Sequence, residues 1–400
     1  MTVRELSLTS PGLFHSPHPV LHTLREIDPV HWSEEFSSWL LLRYDDVADA
    51  LRSEALSPTG MTRRIEHLSP SAQRSLEELR RSVEQWMGLP RIEDHKRYAK
   101  LLRPRFSPRE IGRLEPYIRE SADSLLLDIA RRGGGDVVTE FAYPYSASVI
   151  AHTIGLPPED RSMLIDWSQA ISEVFHVSDF PALQDAQRAV EETAEYLHRV
   201  IEARRREPRD DLVSLFLEGM RTGLILDEDE IVANLIMMVA VGFETTSNVI
   251  ATGTFLLLES AGQWCRLLND RSLVPRAVEE VVRYDGPVFI TTRVAKAEMV
   301  LGSKHVKAGD TVLIAVAAAN RDPSVFADPD EFVIDRADNR HLGFGTGPYS
   351  CLGAQLARLE VRIAFEQMLS RMPDISLARS PEWQEFRPLA RWLSHLWVEC

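Results

Sequence analysis

Between residues 110 and 220 apolar positions recur at intervals of three and four. That spacing predicts amphipathic helices near 110–131, 136–154, 158–173, 182–206 and 211–220. The first sixty residues follow another pattern. Pro29 to Trp32 and Trp39 to Arg43 are rich in Val, Trp and Leu and read as short paired strands, followed by a helix from Tyr44 to Leu51. Weaker strand signals return near 298–315 and at the C-terminal end. The pattern predicts a mainly α fold with a small β portion: a mixed part over about 1–60, then a helical remainder. No internal repeat or low-complexity linker divides residues 1–400, so one domain is expected.

The best-defined helix opens at Asp227-Glu228-Asp229-Glu230, where acids complement the partial positive charge of exposed amide groups. It runs to Val241 without Gly or Pro and continues past Gly242 to about Ser260. About thirty residues at about 1.5 Å each make roughly 45 Å, enough to cross a whole domain. So apolar a helix must be enclosed by others. Gly242-Phe243-Glu244-Thr245-Thr246 interrupts it with residues that a helix core disfavours, glycine at about 1 kcal/mol and glutamate through its buried charge. Packing alone does not explain them.

A hydrophobic content of 44% with 26% charged residues allows a large core. No run of roughly 18 uninterrupted apolar residues is present, so no membrane span is expected. Met1-Thr2-Val3-Arg4-Glu5 lacks a signal-peptide pattern, and the three cysteines, Cys265, Cys351 and Cys400, form no disulfide framework or CxxC pair. These features suit a reducing cytoplasm. The net charge of −15 argues against nucleic-acid binding. One segment opposes that trend: Lys96, Arg97, Lys100, Arg103, Arg105, Arg109 and Arg113 are interrupted by a single acid, Glu110. It reads either as a solvated helix face or as a docking patch for an acidic protein.

Phe344-Gly345-Thr346-Gly347-Pro348-Tyr349-Ser350-Cys351-Leu352-Gly353 precedes a helix whose Leu352, Leu356, Leu359 and Ile363 share one face. Glycines let amides turn inward onto one sulfur, and a helix N-terminus favours a thiolate over a thiol. A single stabilised thiolate behind a glycine-rich turn suits the axial ligand of a heme iron. Cys265 and Cys400 have no such setting.

This segment resembles the cysteine-ligand loop of cytochromes P450. Three further segments resemble the same family in the expected order: Gly242 to Thr246, the oxygen-activating kink of the central helix; Glu280-Val281-Val282-Arg283, the ExxR pair; and Asn320 to Arg336, whose arginine completes a triad with it. The start, Pro29-Val30-His31-Trp32, also reads like soluble bacterial members. The resemblance implies the P450 fold, with its long central helix over heme b, and monooxygenase chemistry using O2. Cys351 would ligate the iron. Thr245 would hydrogen-bond the dioxygen being activated, Glu244 would relay protons, and Gly242 would open the helix beside the iron. Gly345 would shape the loop. His95, Arg293 and His341, with Tyr349 and possibly Arg97, would serve the heme propionates. Glu280, Arg283 and Arg336 would brace the loop without taking part in chemistry. This chain departs from the family pattern at three positions: Ala99 replaces a usual arginine, Tyr349 a usual His or Arg, and Val241 a common alanine.

The same resemblance places Lys96 to Arg105, Arg358 and Arg362 on the cysteine side of the heme, where an acidic ferredoxin would dock. With no fused electron-carrier domain, electrons would come through ferredoxin and ferredoxin reductase from NAD(P)H. A lid would form from about Gly60 to Leu89, including Trp86 and Met87, and a roof from Ile171 to Pro181, including Phe175 and His176. Phe243, Phe289, Ile290, Thr291 and residues near Leu389 to Trp392 would face the iron. The implied substrate is a mainly hydrophobic small organic molecule of secondary metabolism. A peroxide-driven or oxygen-independent heme-thiolate enzyme and a non-catalytic heme-binding protein are the alternatives.

Overall fold

Aspartates decide where the long helices begin. The Asp179 carboxylate accepts from the Ala182 amide at 2.9 Å, Asp211 from Ser214 at 2.8 Å and Asp227 from Glu230 at 2.9 Å. Each such cap is worth about 1 kcal/mol. The computed structural model describes residues 17–400 except 59–61, 89–91, 176–178 and 385–389. Its principal helices are α1 (His18–Ile27), α2 (Tyr44–Arg52), α3 (Ile92–Leu102), α4 (Glu115–Arg131), α5 (Tyr143–Ile154), α6 (Arg161–Ser172), α7 (Phe180–Arg206), α8 (Leu212–Arg221), α9 (Glu228–Gly242), α10 (Glu244–Glu259), α11 (Val274–Asp285) and α12 (Ala354–Arg371).

The expected helix near 136–154 begins late. Asp136 accepts from the Val138 amide and the Thr139 hydroxyl, and residues Val137–Ala142 form a wide π-turn before α5. The segment near 110–131 is likewise split into Pro108–Gly112 and α4, with Pro116 at the start of the second piece. Proline at a first helical turn favours a fresh start, because its missing N–H has no partner there anyway.

The small β portion forms one five-stranded sheet and several two- or three-stranded pieces. Strands β1 (Val30–Ser33), β2 (Ser38–Leu41), β3 (Leu56–Ser57), β4 (Thr291–Ala295) and β5 (Thr311–Ile314) lie in the order β1-β2-β5-β4-β3. Among the described strands only β2 and β5 pair in parallel, Leu41 opposite Ile314. Trp32 and Trp39 face each other across the β1–β2 hairpin in an edge-on pair. The expected strand region near 298–315 resolves into a hairpin, Met299–Leu301 with Lys304–Val306, followed by β5.

The core is built around α9 and α10. Ile231, Leu235, Val239, Ile250 and Leu257 are at most 1% exposed, and α10 packs on α5, α11 and α12. By length and hydropathy the run Glu228–Glu259 could cross a membrane, but 78% of its most apolar window is buried in protein, as a core helix requires. The run breaks at Phe243, whose φ of −124° leaves the helical range. Beside the break, a Cβ on Gly242 would lie 2.7 Å from Ile150 Cγ1 of α5. The glycine therefore permits close packing of the central helix on α5.

Candidate active site

The cysteine loop is shaped by its own backbone. The Gly345 amide donates to Leu342 O and the Cys351 amide to Phe344 O, both at 2.8 Å, closing the turn on itself. Gly345 and Gly347 hold φ values of +67° and +80°, a region that L side chains avoid. A Cβ at Gly347 would also stand 2.8 Å from Arg52 Cα, so the loop presses against α2. Water could reach Cys351, yet protein surrounds its sulfur on nearly every side, so the residue faces a recess rather than open solvent. The Gly353 and Ala354 amides and the Arg358 guanidinium pull the thiol pKa down, but burial outweighs them and leaves it raised. The loop amides thus act in the expected direction, toward a thiolate, against the effect of burial. A cation on the sulfur is needed to draw off the proton, which is what an iron ligand position supplies.

Arg293 sits on β4 at 7% exposure, with Thr292 O at 2.9 Å and Thr291 Oγ1 at 3.3 Å. Among the described residues no carboxylate lies within ion-pair distance of it. Burial lowers its pKa, against the Tyr349 phenol, whose ring lies 5.9 Å from the guanidinium. A buried cation lacking an anion is costly, so this one calls for an anionic ligand. His95 completes the group, its ring 4.6 Å from that of Tyr349. Its nitrogens face Met87 O at 2.9 Å and Pro348 O at 2.8 Å, so it straps α3 to the cysteine loop.

The other propionate candidates are engaged elsewhere. Arg97 pairs with Glu230 at 2.9 Å and bonds Leu224 O at 2.7 Å. The His341 side chain is 3% exposed; its Nε2 meets Glu279 at 3.0 Å, and its Nδ1 accepts from the Gly343 amide at 3.1 Å. Arg358 grips the same glutamate at 2.7 and 3.0 Å and lies 4.3 Å over the Phe344 ring. Burial alone would raise the Glu279 carboxyl, but His341 and Arg358 more than reverse this and hold it at about 2. A depressed carboxylate stabilises the fold above its ordinary titration range and loses that contribution as pH falls through the shifted one. Wild-type holoenzyme is therefore expected to lose its thiolate-ligated spectrum progressively below pH 4.5, toward about 2. Glu279→Gln should start less stable at neutral pH and show a flatter acid profile; an unchanged profile would sink this role.

Beneath the loop lies the expected brace. Arg283 forks onto Glu280 at 2.7 and 2.8 Å, and Arg336 Nε reaches the same carboxylate at 3.1 Å. Glu280 also accepts from the Val333 amide and Asn339, while Arg283 donates to the carbonyls of Asn320, Pro329 and Glu331.

On the central helix Glu244 is 3% exposed and Thr245 partly exposed, its hydroxyl bonded back to Val241 O at 3.2 Å. Several aromatics expected around the iron serve the core instead. Phe243 is fully buried, edge-on to Tyr143 at 6.0 Å. Phe289 and Ile290 pack with Leu21, Leu24 and Leu40; in the expected lid and roof, Trp86 is buried against Phe175 at 5.5 Å. Trp392 donates to Pro287 O at 3.0 Å. Parts of the lid, with Gly60 and Leu89, and also His176 and Leu389, fall outside the described residues. Sequence reasoning passed over Val288, which is 37% exposed between Pro287 and buried Phe289. The signal was its position just ahead of the strand that carries Arg293.

A recessed sulfur with two amides on it, and a buried cation without an anion next to the same loop, fit the two ends of a heme: its iron and a propionate. The Cytochrome P450 family model matches residues 84–261 and 265–373. The biotin biosynthesis cytochrome P450 of Bacillus subtilis (strain 168) is 32% identical over 386 residues, covering 96% of this chain and 95% of that one. The polyketide biosynthesis cytochrome P450 PksS of the same organism is 32% identical over 383 residues, covering 93% and 92%. The solved structure of P450BioI with an acyl carrier protein carrying hexadec-9Z-enoic acid superposes with a TM-score of 0.89 at 31% identity, covering 97% of this chain and 99% of that one. With its loop, brace and broken central helix matched along nearly the whole length, the chain belongs to the cytochrome P450 family of heme b monooxygenases.

Proposed function

We propose that residues 1–400 act as one heme domain that inserts an oxygen atom from O2 into a mainly hydrophobic small molecule of secondary metabolism. Electrons come from a separate ferredoxin and ferredoxin reductase drawing on NAD(P)H, in the cytoplasm. The observation that carries this reading is the helix break at Phe243, with buried Glu244 and partly exposed Thr245 directly after it. Bound heme supplies the activation of dioxygen. Cys351 would hold its iron, and Arg293 with Tyr349 would anchor a propionate. Thr245, whose hydroxyl is bonded to Val241 O, would offer it to the reacting oxygen, and Glu244 would hold the proton that restores it. Val241, Val288 and Thr291 shape the apolar side of the pocket. The polyketide relative supports the metabolic setting.

The basic segment narrows as a docking face. Arg97 is tied to Glu230, Arg105 to Asp210, Arg113 to Glu110, Arg358 to Glu279 and Arg362 to Glu115. Among the described residues Lys96, Lys100, Arg103 and Arg109 keep no acidic partner, and the first three flank Pro348 of the cysteine loop.

Turnover of a binding substrate with NADPH, reductase and ferredoxin tests the assignment against turnover with peroxide alone. Product is expected in the first case. Thr245's back-bond, as found in any helix, is the one feature that favours the peroxide-driven alternative. Thr245→Ala is expected to keep heme binding but spend NADPH without proportionate product, a loss in coupling on the order of tenfold or more. Unchanged coupling, or product with peroxide alone, would overturn this reading.

A further inference from the structure

Asn234 is a carboxamide set in the most apolar stretch of α9, between Ala233 and Leu235, and it is fully buried. Asparagine is disfavoured inside a helix, because its side chain competes with the backbone for hydrogen bonds. Here its partners explain it. Its Oδ1 accepts from the Met87 amide at 2.6 Å, and its Nδ2 donates to Gln85 O at 3.2 Å and to Glu230 O at 2.8 Å. One side chain of the central helix thus grips the backbone of the expected lid on both sides of Trp86. The Trp86 indole is buried and packs on Phe175 of the expected roof. The other end of this segment is tied to a different helix, the Leu79 amide donating to Gln187 Oε1 of α7 at 2.7 Å. Asn234 and Val241 are seven residues apart, two turns along one face of α9. The grip therefore lies about 10 Å from the residue whose carbonyl holds Thr245.

We propose that Asn234 is a positioning residue for the substrate pocket: by holding the backbone on either side of Trp86, it fixes how far lid and roof stand from the central helix, and so how bulky a substrate the site accepts. The inference rests on the apolar-substrate reading given above and names the contact that sets the size of that pocket. A buried amide without an acceptor is costly, so removing the carboxamide drives the Met87 N–H to another partner. The segment then pivots on its Leu79–Gln187 end and takes Trp86 with it. The Met87 carbonyl meets His95 at 2.9 Å, so the clamp also touches the strap to the cysteine loop, and heme content is read beside ligand binding.

The test is spectral titration of purified holoenzyme with two nitrogen ligands of the iron. Imidazole needs only the iron, whereas the aryl rings of clotrimazole fill the space around it. Asn234→Leu keeps the volume and removes the bonds to Met87, Gln85 and Glu230. It is expected to bind clotrimazole about tenfold more weakly or worse and imidazole within about twofold of wild type, with heme content and the reduced carbon monoxide spectrum unchanged. Hydrogen exchange followed by mass spectrometry should be faster across residues 79–87 in the variant. Should the leucine variant lose heme, Asn234→Asp is read in its place, since it keeps an acceptor for the Met87 amide and loses the donor to Gln85 O. It is expected to show the same selective weakening at about threefold. Equal weakening of both ligands, unchanged binding of both, or heme loss in both variants would overturn the positioning role and leave the apolar-substrate reading intact. If wild type itself binds imidazole more tightly than clotrimazole, that reading falls and this inference with it.

Discussion

Cys351→Ala is expected to yield a folded chain that retains little heme, makes no product, and lacks the red-shifted absorption of the reduced carbon monoxide complex that marks thiolate ligation. The sulfur is the ligand the loop presents, and the turn that presents it is held by backbone groups. The Cys351 amide still bonds Phe344 O, and the glycines still supply their positive φ angles after the side chain is cut. Helix content by circular dichroism should therefore match wild type while heme content collapses. Cys351→Ser separates ligand identity from space. The hydroxyl fits the recess, but burial already lifts the far more acidic thiol above its ordinary value, so a serine oxygen would stay protonated and bind iron poorly. Heme content measured after pyridine extraction, with the reduced carbon monoxide spectrum, checks both variants. A thiolate-type spectrum in either would remove Cys351 as the ligand.

What the sequence made legible was whatever depends on local rules. The acidic helix start at Asp227 to Glu230, the glycine turn before Cys351 and the Glu280–Arg283 spacing each follow from a few adjacent residues, and the structure places them as read. Pairing across the fold was not legible. Arg97, His341 and His95 all looked available for propionates. Arg97 and His341 meet Glu230 and Glu279, and His95 meets the Met87 and Pro348 carbonyls, partners that no local spacing reveals. The aromatics failed for a related reason. Phe243 and Phe289 stand next to functional residues in sequence, yet on a helix or strand an adjacent side chain points to another face, and both turn into the core. Gly242 shows a subtler limit: its motif was recognised, but the collision it avoids is with Ile150, about ninety residues away in the chain.

Arg283→Ala is expected to be the most damaging substitution away from the iron ligand. Arg283 is 1% exposed and Glu280 fully buried, so removing the arginine strands a carboxylate in the interior, at a cost of about 3–5 kcal/mol. A loss of that size approaches the whole stability of an ordinary domain, about 5–15 kcal/mol. The carbonyls of Asn320 and Pro329 lose their Arg283 donor as well, and that of Glu331 keeps only Arg336. Buried pairs are often replaced harmlessly by two apolar residues, but not here. In Glu280→Leu with Arg283→Met the Val333 amide, Asn339 and Arg336 would still lose their shared acceptor. The double variant should therefore fare no better than Arg283→Ala. Arg283→Lys should fall between, since an ammonium keeps the charge but cannot span Glu280 and three carbonyls at once. Yield of soluble holoenzyme and thermal midpoint across the three variants measure this. Recovery of wild-type stability in the Leu–Met pair would show that the brace is an ordinary ion pair, and that the segment leading to the cysteine loop is held by other means.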